Sequence, residues 1–342
     1  MKRLTFAIAV FLLPFAAFAL EVREGRLKLV IHETSARFSL YYLVDIQKDH
    51  YEPLFVDKDP RTSFLALIVD DRTHRLGEST AFRFRTERTE TGARQVFESS
   101  SLVATQNFSF SRLAGSSLAD TLKIEVKVSN KSDRELNVGV RFVLDANRGE
   151  KKPAHFRTDR REITSETLIS PRSDADAWWI SEDDSLALMG SFSVKGYDPP
   201  DAVHFANWKR LNDAPWKTQA SAGRNFNLLP YSIGDSAVSY YFDPRPIPRG
   251  GERKHTLFIG ASNPKGFEDI DAKPASGLSQ ILQTSVEAAG SPDLSIQTDL
   301  ITVRDLLSRV DLLLKNPDNA TDEELTALET VIGRLKERNA GQ

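Results

Sequence analysis

The sequence predicts a mainly β protein, a large antiparallel β-sandwich followed by a C-terminal α-helical hairpin. Three observations carry this. Apolar residues recur with period two from Leu20 to about Ala261. Polar turns separate these stretches with no helices interleaved, the pattern of stacked antiparallel sheets. The last fifty residues switch to the helical period.

At the N-terminus, Met1-Lys2-Arg3 is a short positive segment, Leu4 to Phe15 is almost wholly apolar, and Ala17-Phe18-Ala19 is an A-x-A cleavage site. Residues 1–19 therefore read as a signal peptide, cleaved near Ala19, and the protein is expected to be periplasmic or secreted. The apolar run falls short of the roughly 20 residues that a spanning helix needs, and no later segment is long and apolar enough to span, so no transmembrane segment is expected in the mature chain.

Composition excludes several classes. There are no cysteines, which removes disulfides, thiolate metal sites and a cysteine nucleophile. Losing Lys2 and Arg3 from 45 basic residues leaves 43 against 48 acidic ones, with both signs interspersed. This argues against nucleic acid as a partner.

Residues 20–261 form the β-sandwich domain. Leu27, Leu29 and Ile31, then Phe38, Leu40, Tyr42 and Val44, form a hairpin, and Phe64–Val69 is a buried strand. Leu122, Ile124, Val126 and Val128 alternate with polar residues and make a strand with one wet face. After the turn at Asn130–Asp133, Leu136, Val138, Val140, Phe142 and Leu144 form the next stripe. Further strands are expected at 185–191, 202–206, 236–242 and 254–261, about fifteen in all. Residues 262–292, with Pro264, Pro274, Gly277 and Pro292, read as a linker with a short helix at 278–288.

Residues 293–342 form the hairpin. Thr302 is the expected cap of a first helix whose stripe is Val303, Leu306, Leu307, Val310, Leu313 and Leu314. Asn316-Pro317-Asp318 stops it, and Thr321 to Glu324 is a capping box for a second helix with Leu325, Leu328, Val331, Ile332 and Leu335 on one face. Two short helices have little core of their own, so they dock on the β domain or on another chain. The protein-contact candidates are Leu306, Leu313, Leu325, Leu328 and Ile332.

Two clusters could carry chemistry. On the strand 136–144, Arg141 and the following Asp145 share the face opposite the apolar stripe, about 13 Å apart along the chain. The strand exits into a loop with Glu150 and His155. One reading makes Asp145 or Glu150 an acid/base with His155 as partner; the other is an Arg–carboxylate network that fixes the loop. The second cluster is aromatic. Trp178, Trp179, Trp208 and Trp216 fall within forty residues, beside Asn207 and several carboxylates. They are either a sugar-binding groove or plugs at the ends of the sandwich. Arg141, Trp178, Trp179, Asn207 and Trp208 are the ligand-binding candidates. The aspartates at 174, 176, 183, 184, 198 and 201 lack EF-hand spacing, the six histidines are scattered, and no nucleotide-binding or nucleophile-elbow motif is present. No metal and no cofactor is expected.

The strings Val138-Gly-Val-Arg141 with Leu144-Asp145 and Gly149, Pro200-Asp-Ala-Val203 with Phe205-Ala-Asn207-Trp208, and Asp235-Ser-Ala-Val238 with Tyr241, Pro248 and Gly251-Glu252-Arg253 resemble an uncharacterised family of exported bacterial β-sandwich proteins over roughly residues 25 to 261. That family's loop after the Arg–Asp strand is richer in Asp and Asn and ends in Pro-Phe, whereas this chain reads Asn147 to Phe156 with two lysines and His155. The resemblance implies a sandwich loosely similar to the galactose-mutarotase-like supersandwich, and no activity. The leading expectation is a non-enzymatic binding or scaffold protein. It would contact a periplasmic or envelope protein through its hairpin, as in an envelope or motility assembly. The alternative is a carbohydrate-binding or carbohydrate-modifying protein whose ligand is a glycan.

Overall fold

The computed structural model describes residues 19–113, 118–262, 266–267, 270, 292–315, 317 and 321–339. The expected signal segment up to residue 18 and the expected helix at 278–288 lie outside the described residues. The architecture is mainly β, with large antiparallel sheets followed by a helical hairpin.

Nineteen strands are formed among the described residues. In chain order they begin with β1 (Ala19–Glu24), β2 (Leu27–His32), β3 (Arg37–Asp45) and β4 (His50–Pro53), which make a four-stranded meander. A six-stranded sheet has the order β14-β17-β18-β11-β5-β6: Thr167–Ile169, Ala202–Asn207, Ser236–Ile247, Leu136–Leu144, Phe64–Val69 and Arg72–Arg75. A nine-stranded sheet has the order β13-β12-β15-β16-β19-β10-β9-β8-β7. Its strands are Glu162–Ile163, Phe156–Thr158, Trp178–Glu182, Ala187–Ser191, Glu252–Ala261, Thr121–Asn130, Leu102–Ser111, Gly92–Glu98 and Arg83–Thr89.

One core joins all three sheets. Leu29 and Leu40 from the meander meet Leu67, Phe142 and Val238 from the six-stranded sheet and Phe108, Ile124 and Ile259 from the nine-stranded one. The alternation in β10 is realised: Leu122, Ile124, Val126 and Val128 are buried, and Lys123, Glu125, Lys127 and Ser129 are half-exposed.

β11 departs from the one-wet-face pattern, because it is buried on both sides except at Asn137. Its second face lies under α1 (Trp208–Asp213) and the residues that follow. Gly139 sits where the pairing with β18 shifts register; a Cβ there would lie 2.9 Å from Pro244 N and 3.0 Å from Phe242 O, too close for any larger residue.

The hairpin consists of α2 (Pro292–Lys315) and α3 (Asp322–Asn339). The first helix begins ten residues before Thr302, so Thr302 is no cap; its hydroxyl donates to the Thr298 carbonyl one turn earlier. The hairpin docks on the β domain. Ile301 packs with Leu43 and Leu118, Arg304 donates to Tyr51 Oη and Gly25 O, and Asp305 accepts from Gly25 N. Leu306, Leu328, Val331 and Leu335, flanked by Val310 and Leu313, form the interior between α2 and α3. Among the contact candidates, Leu306 and Leu328 are therefore spent inside the hairpin and Leu313 packs against them, whereas Leu325 and Ile332 are exposed.

Candidate functional site

The six-stranded sheet ends its central strands side by side, and those ends collect polar residues. Asp145 follows β11, Asp235 precedes β18, Asn207 closes β17 and Ser63 precedes β5. The loop after β11 turns through a single 3-10 turn, Arg148–Lys151, and carries Glu150 back to this end, where its carboxylate accepts from Ser236 N at 2.9 Å. Carboxylate oxygens of Asp145, Glu150 and Asp235 lie within 4.8 Å of one another.

The cluster is strongly perturbed. Burial pushes Asp145 up to about 7, opposed by a hydrogen bond with Thr62 and reinforced by Asp235. Burial also pushes Glu150 up to about 7, against the Ser236 N–H and with the help of Asp145 and Asp235. Asp235 is raised by burial, with Ser232 opposing. Like charges this close cannot all ionise cheaply, so the cluster holds protons that isolated carboxylates would lose. Three such oxygens are also the donor type that a hard divalent cation takes. His155 stands beside Gly234 at the edge of this region; its ring stacks on Phe226 at 4.5 Å, and burial holds its pKa down.

The walls are built by Asn207 and Trp208. Asn207 is fully buried; its Oδ1 caps α1 by accepting from Lys209 N, and its Nδ2 donates to the carbonyls of Phe226 and Asp235 and to Ser232 Oγ. It is thus an architectural residue. Trp208 is half-buried; its N–H donates to Asp235 O and its indole Nε1 donates to Thr62 O at 2.8 Å. On its other side the loop borders a cleft of about 720 Å³ between the meander and the nine-stranded sheet, lined among others by Lys58, Arg148, Lys151, Lys152 and Asp183. Arg148 is fixed there by Pro53 O, Glu52 and Asp183.

The remaining candidates sit elsewhere. Arg141 is fully buried and makes no pair with Asp145. Its guanidinium donates to Ser239 Oγ and to the Leu211 and Ala214 carbonyls, which fastens the end of α1 to the sheet. The face of β11 that carries Arg141 is therefore covered by the end of α1. Trp179 is in the core; its Nε1 donates to Tyr240 Oη at 2.6 Å, and Gly190 leaves room for its ring. Trp178 belongs to a side cluster with Phe267 and Ile270. Trp216 packs edge-on against Tyr241, so the four tryptophans do not converge on one groove. Four of the six aspartates between 174 and 201 are engaged by other groups: Asp176 by Arg161, Asp183 by Arg148, Asp201 by Arg172 and Arg245, and Asp174 by Ser170 N.

Asp235, Ser63 and Thr62 join the site without having been marked in the sequence. Their signal is the β17-β18-β11-β5 pairing, which no local pattern contains.

No protein-family model matches the chain, and no curated protein sequence matches it. Several solved structures are similar in fold. A galactose mutarotase related enzyme from Lactobacillus acidophilus shares 8% identity over 72% of this chain and 98% of its own, with a TM-score of 0.46. A galactose mutarotase-like protein from Lactobacillus casei shares 8% identity over 71% of this chain and 100% of its own, with a TM-score of 0.41. A TPR-domain containing protein from Parabacteroides distasonis shares 8% identity over 94% of this chain and 69% of its own, with a TM-score of 0.44.

Proposed function

We propose that this chain is a protein-binding component, acting outside the cytoplasm, that presents its C-terminal helical hairpin to a periplasmic or envelope partner. One observation carries the reading. Of the eleven large apolar side chains exposed among the described residues, six are on the hairpin: Leu300, Val303, Leu307 and Leu314 on α2, and Leu325 and Ile332 on α3. Scattered exposed apolars are ordinary, but a concentration on one element is not. The spacing of three, four and seven residues in α2 is that of a helix-packing seam. The hairpin has already filled its own interior and its dock on the β domain, so this stripe is surplus to the fold.

In-cell crosslinking and recovery of the full chain is the test, with Leu307→Glu/Leu314→Glu as the variant. The substitutions are on exposed positions, so stability should move by no more than about 0.5 kcal/mol each. At least a tenfold loss of crosslinked partner is expected; the same partners in the same yield from both proteins would end the reading.

A second reading is carried by the carboxylate cluster. Asp145, Glu150 and Asp235, with Trp208 at the wall, are groups a glycan-binding or glycan-modifying site uses. Glycan-array binding that is lost in Trp208→Ala, with the melting transition kept, supports it. No glycan bound by the wild-type protein excludes it.

A further inference from the structure

The opposite end of β18 holds a different kind of site. About 30 Å along the strand from Asp235, a cavity of about 320 Å³ opens between the six- and nine-stranded sheets. Its lining carries four cationic side chains, Arg172, Arg245, Arg253 and Lys254, against two carboxylates, Asp198 and Asp201. Phe242 and His255 belong to the same lining, their rings 4.4 Å apart.

The carboxylate nearest the arginines is already engaged. Asp201 accepts from Arg172 Nε at 3.1 Å, from Arg245 Nη2 at 2.7 Å and from Asp243 N at 2.7 Å. It therefore aligns two guanidiniums and neutralises about one of them. Arg253 is held differently: its Nη1 donates to the Val138 carbonyl at 2.9 Å and to the Asp243 carbonyl at 3.4 Å, and among the described residues no carboxylate is bonded to it. Asp201 and Asp198 act on its charge only through space, and two strands fix it in place, so its donors are not spent on a carboxylate. Burial and the Arg253 charge keep His255 neutral, with its pKa pushed down to about 3, so His255 adds no positive charge. What remains is a concave site with surplus positive charge on rigid, forked donors. Guanidinium forks match the oxygens of a carboxylate or phosphate, and partial exclusion of water strengthens the attraction.

We propose that this cavity binds the anionic group of a small ligand, a phosphate or the carboxylate of an acidic sugar, with Arg245 and Arg253 as its principal donors. This site is independent of the hairpin and of the carboxylate cluster.

The test is calorimetric titration of the full chain at constant ionic strength with sodium phosphate, sodium galacturonate and galactose. Saturable binding of at least one anion and none of galactose is expected. Binding should weaken at least tenfold in Arg245→Gln and in Arg253→Gln, and should be unchanged in Arg94→Gln, a surface arginine of β8 paired with Glu87 and outside the cavity lining. Phosphate binding alone identifies a tetrahedral oxyanion, and galacturonate binding alone identifies a sugar carboxylate. Arg245 is half-exposed, so its variant keeps the fold and decides the matter even where Arg253→Gln does not fold. Failure of both anions to saturate, or equal affinity in Arg245→Gln and wild type, overturns the proposal.

Discussion

Asp145 is a carboxylate placed where its charge is poorly solvated, and that position has a consequence for stability. A carboxyl whose folded pKa is raised stabilises the fold fully below its ordinary value near 4 and loses that contribution as pH climbs through the raised value. Asp145 and Glu150, both at about 7, therefore make the fold weaker as pH rises from about 4 to about 7. His204, at about 4, and His255, at about 3, act in the other sense: buried neutral, they weaken the fold as pH falls below about 6.5. The two effects oppose each other in mild acid, and above about pH 6.5 only the carboxylates act. The melting temperature should thus fall as pH rises from about 6.5 through about 7 and flatten as Asp145 and Glu150 become fully ionised, with Glu24, also pushed up by burial, extending the fall. Asp145→Asn should flatten the decline, by up to ~1.4 kcal/mol per pH unit for the proton it removes. A variant that runs parallel to wild type at every pH would show that Asp145 is ionised throughout. Little of this was legible beforehand. Asp145 and Glu150 are conspicuous in the sequence, but their environment depends on Asp235, which lies 85 residues beyond Glu150 and reaches them only through the pairing of β18 with β11.

Elements were legible in proportion to their periodicity. β10 announces itself by strict alternation, and the edge segments β12, β13 and β14, two or three residues each, are too short to show a period. The helical stripes of α2 and α3 were readable, but not which stripe goes where. α2 carries two apolar faces, one toward α3 through Leu306 and one toward solvent through Leu300, Val303 and Leu307, and it docks on the β domain through Ile301. A single helical period cannot tell those faces apart, so Leu306 and Leu328 looked like contact residues and are interior ones. Ile301 is the keystone of docking, with Arg304 and Asp305 closing the polar edge around Gly25. Burying an isoleucine side chain is worth ~1.5–3 kcal/mol, and a charge in its place adds a desolvation cost. Ile301→Asp should therefore release the hairpin. Limited proteolysis should then cleave α2 at least tenfold faster while the β domain resists, and an unchanged cleavage rate would place the docking energy elsewhere.

At the scale of the whole molecule, the strand order decides what chain proximity cannot. β19 inserts between β16 and β10, and β18 between β17 and β11, so the last two strands of the β domain lie at the centres of the two large sheets. That arrangement places the carboxylate cluster at one end of β18 and the arginine-lined cavity near the other. It also sends Trp179 to Tyr240 in the core while Trp178, the adjacent residue, faces a side cluster, since neighbours on a strand point to opposite faces. The sequence alone determined the fold class, the strong strands and the presence of a helical hairpin, because these follow from local periodicity and from turn and cap residues close in the chain. Only the tertiary structure decided that the tryptophans separate, that Arg141 anchors α1, that Asp235 completes an acidic cluster, and which apolar stripe is left exposed. Each of these depends on burial and on contacts between residues far apart in sequence, and neither is encoded at any one position.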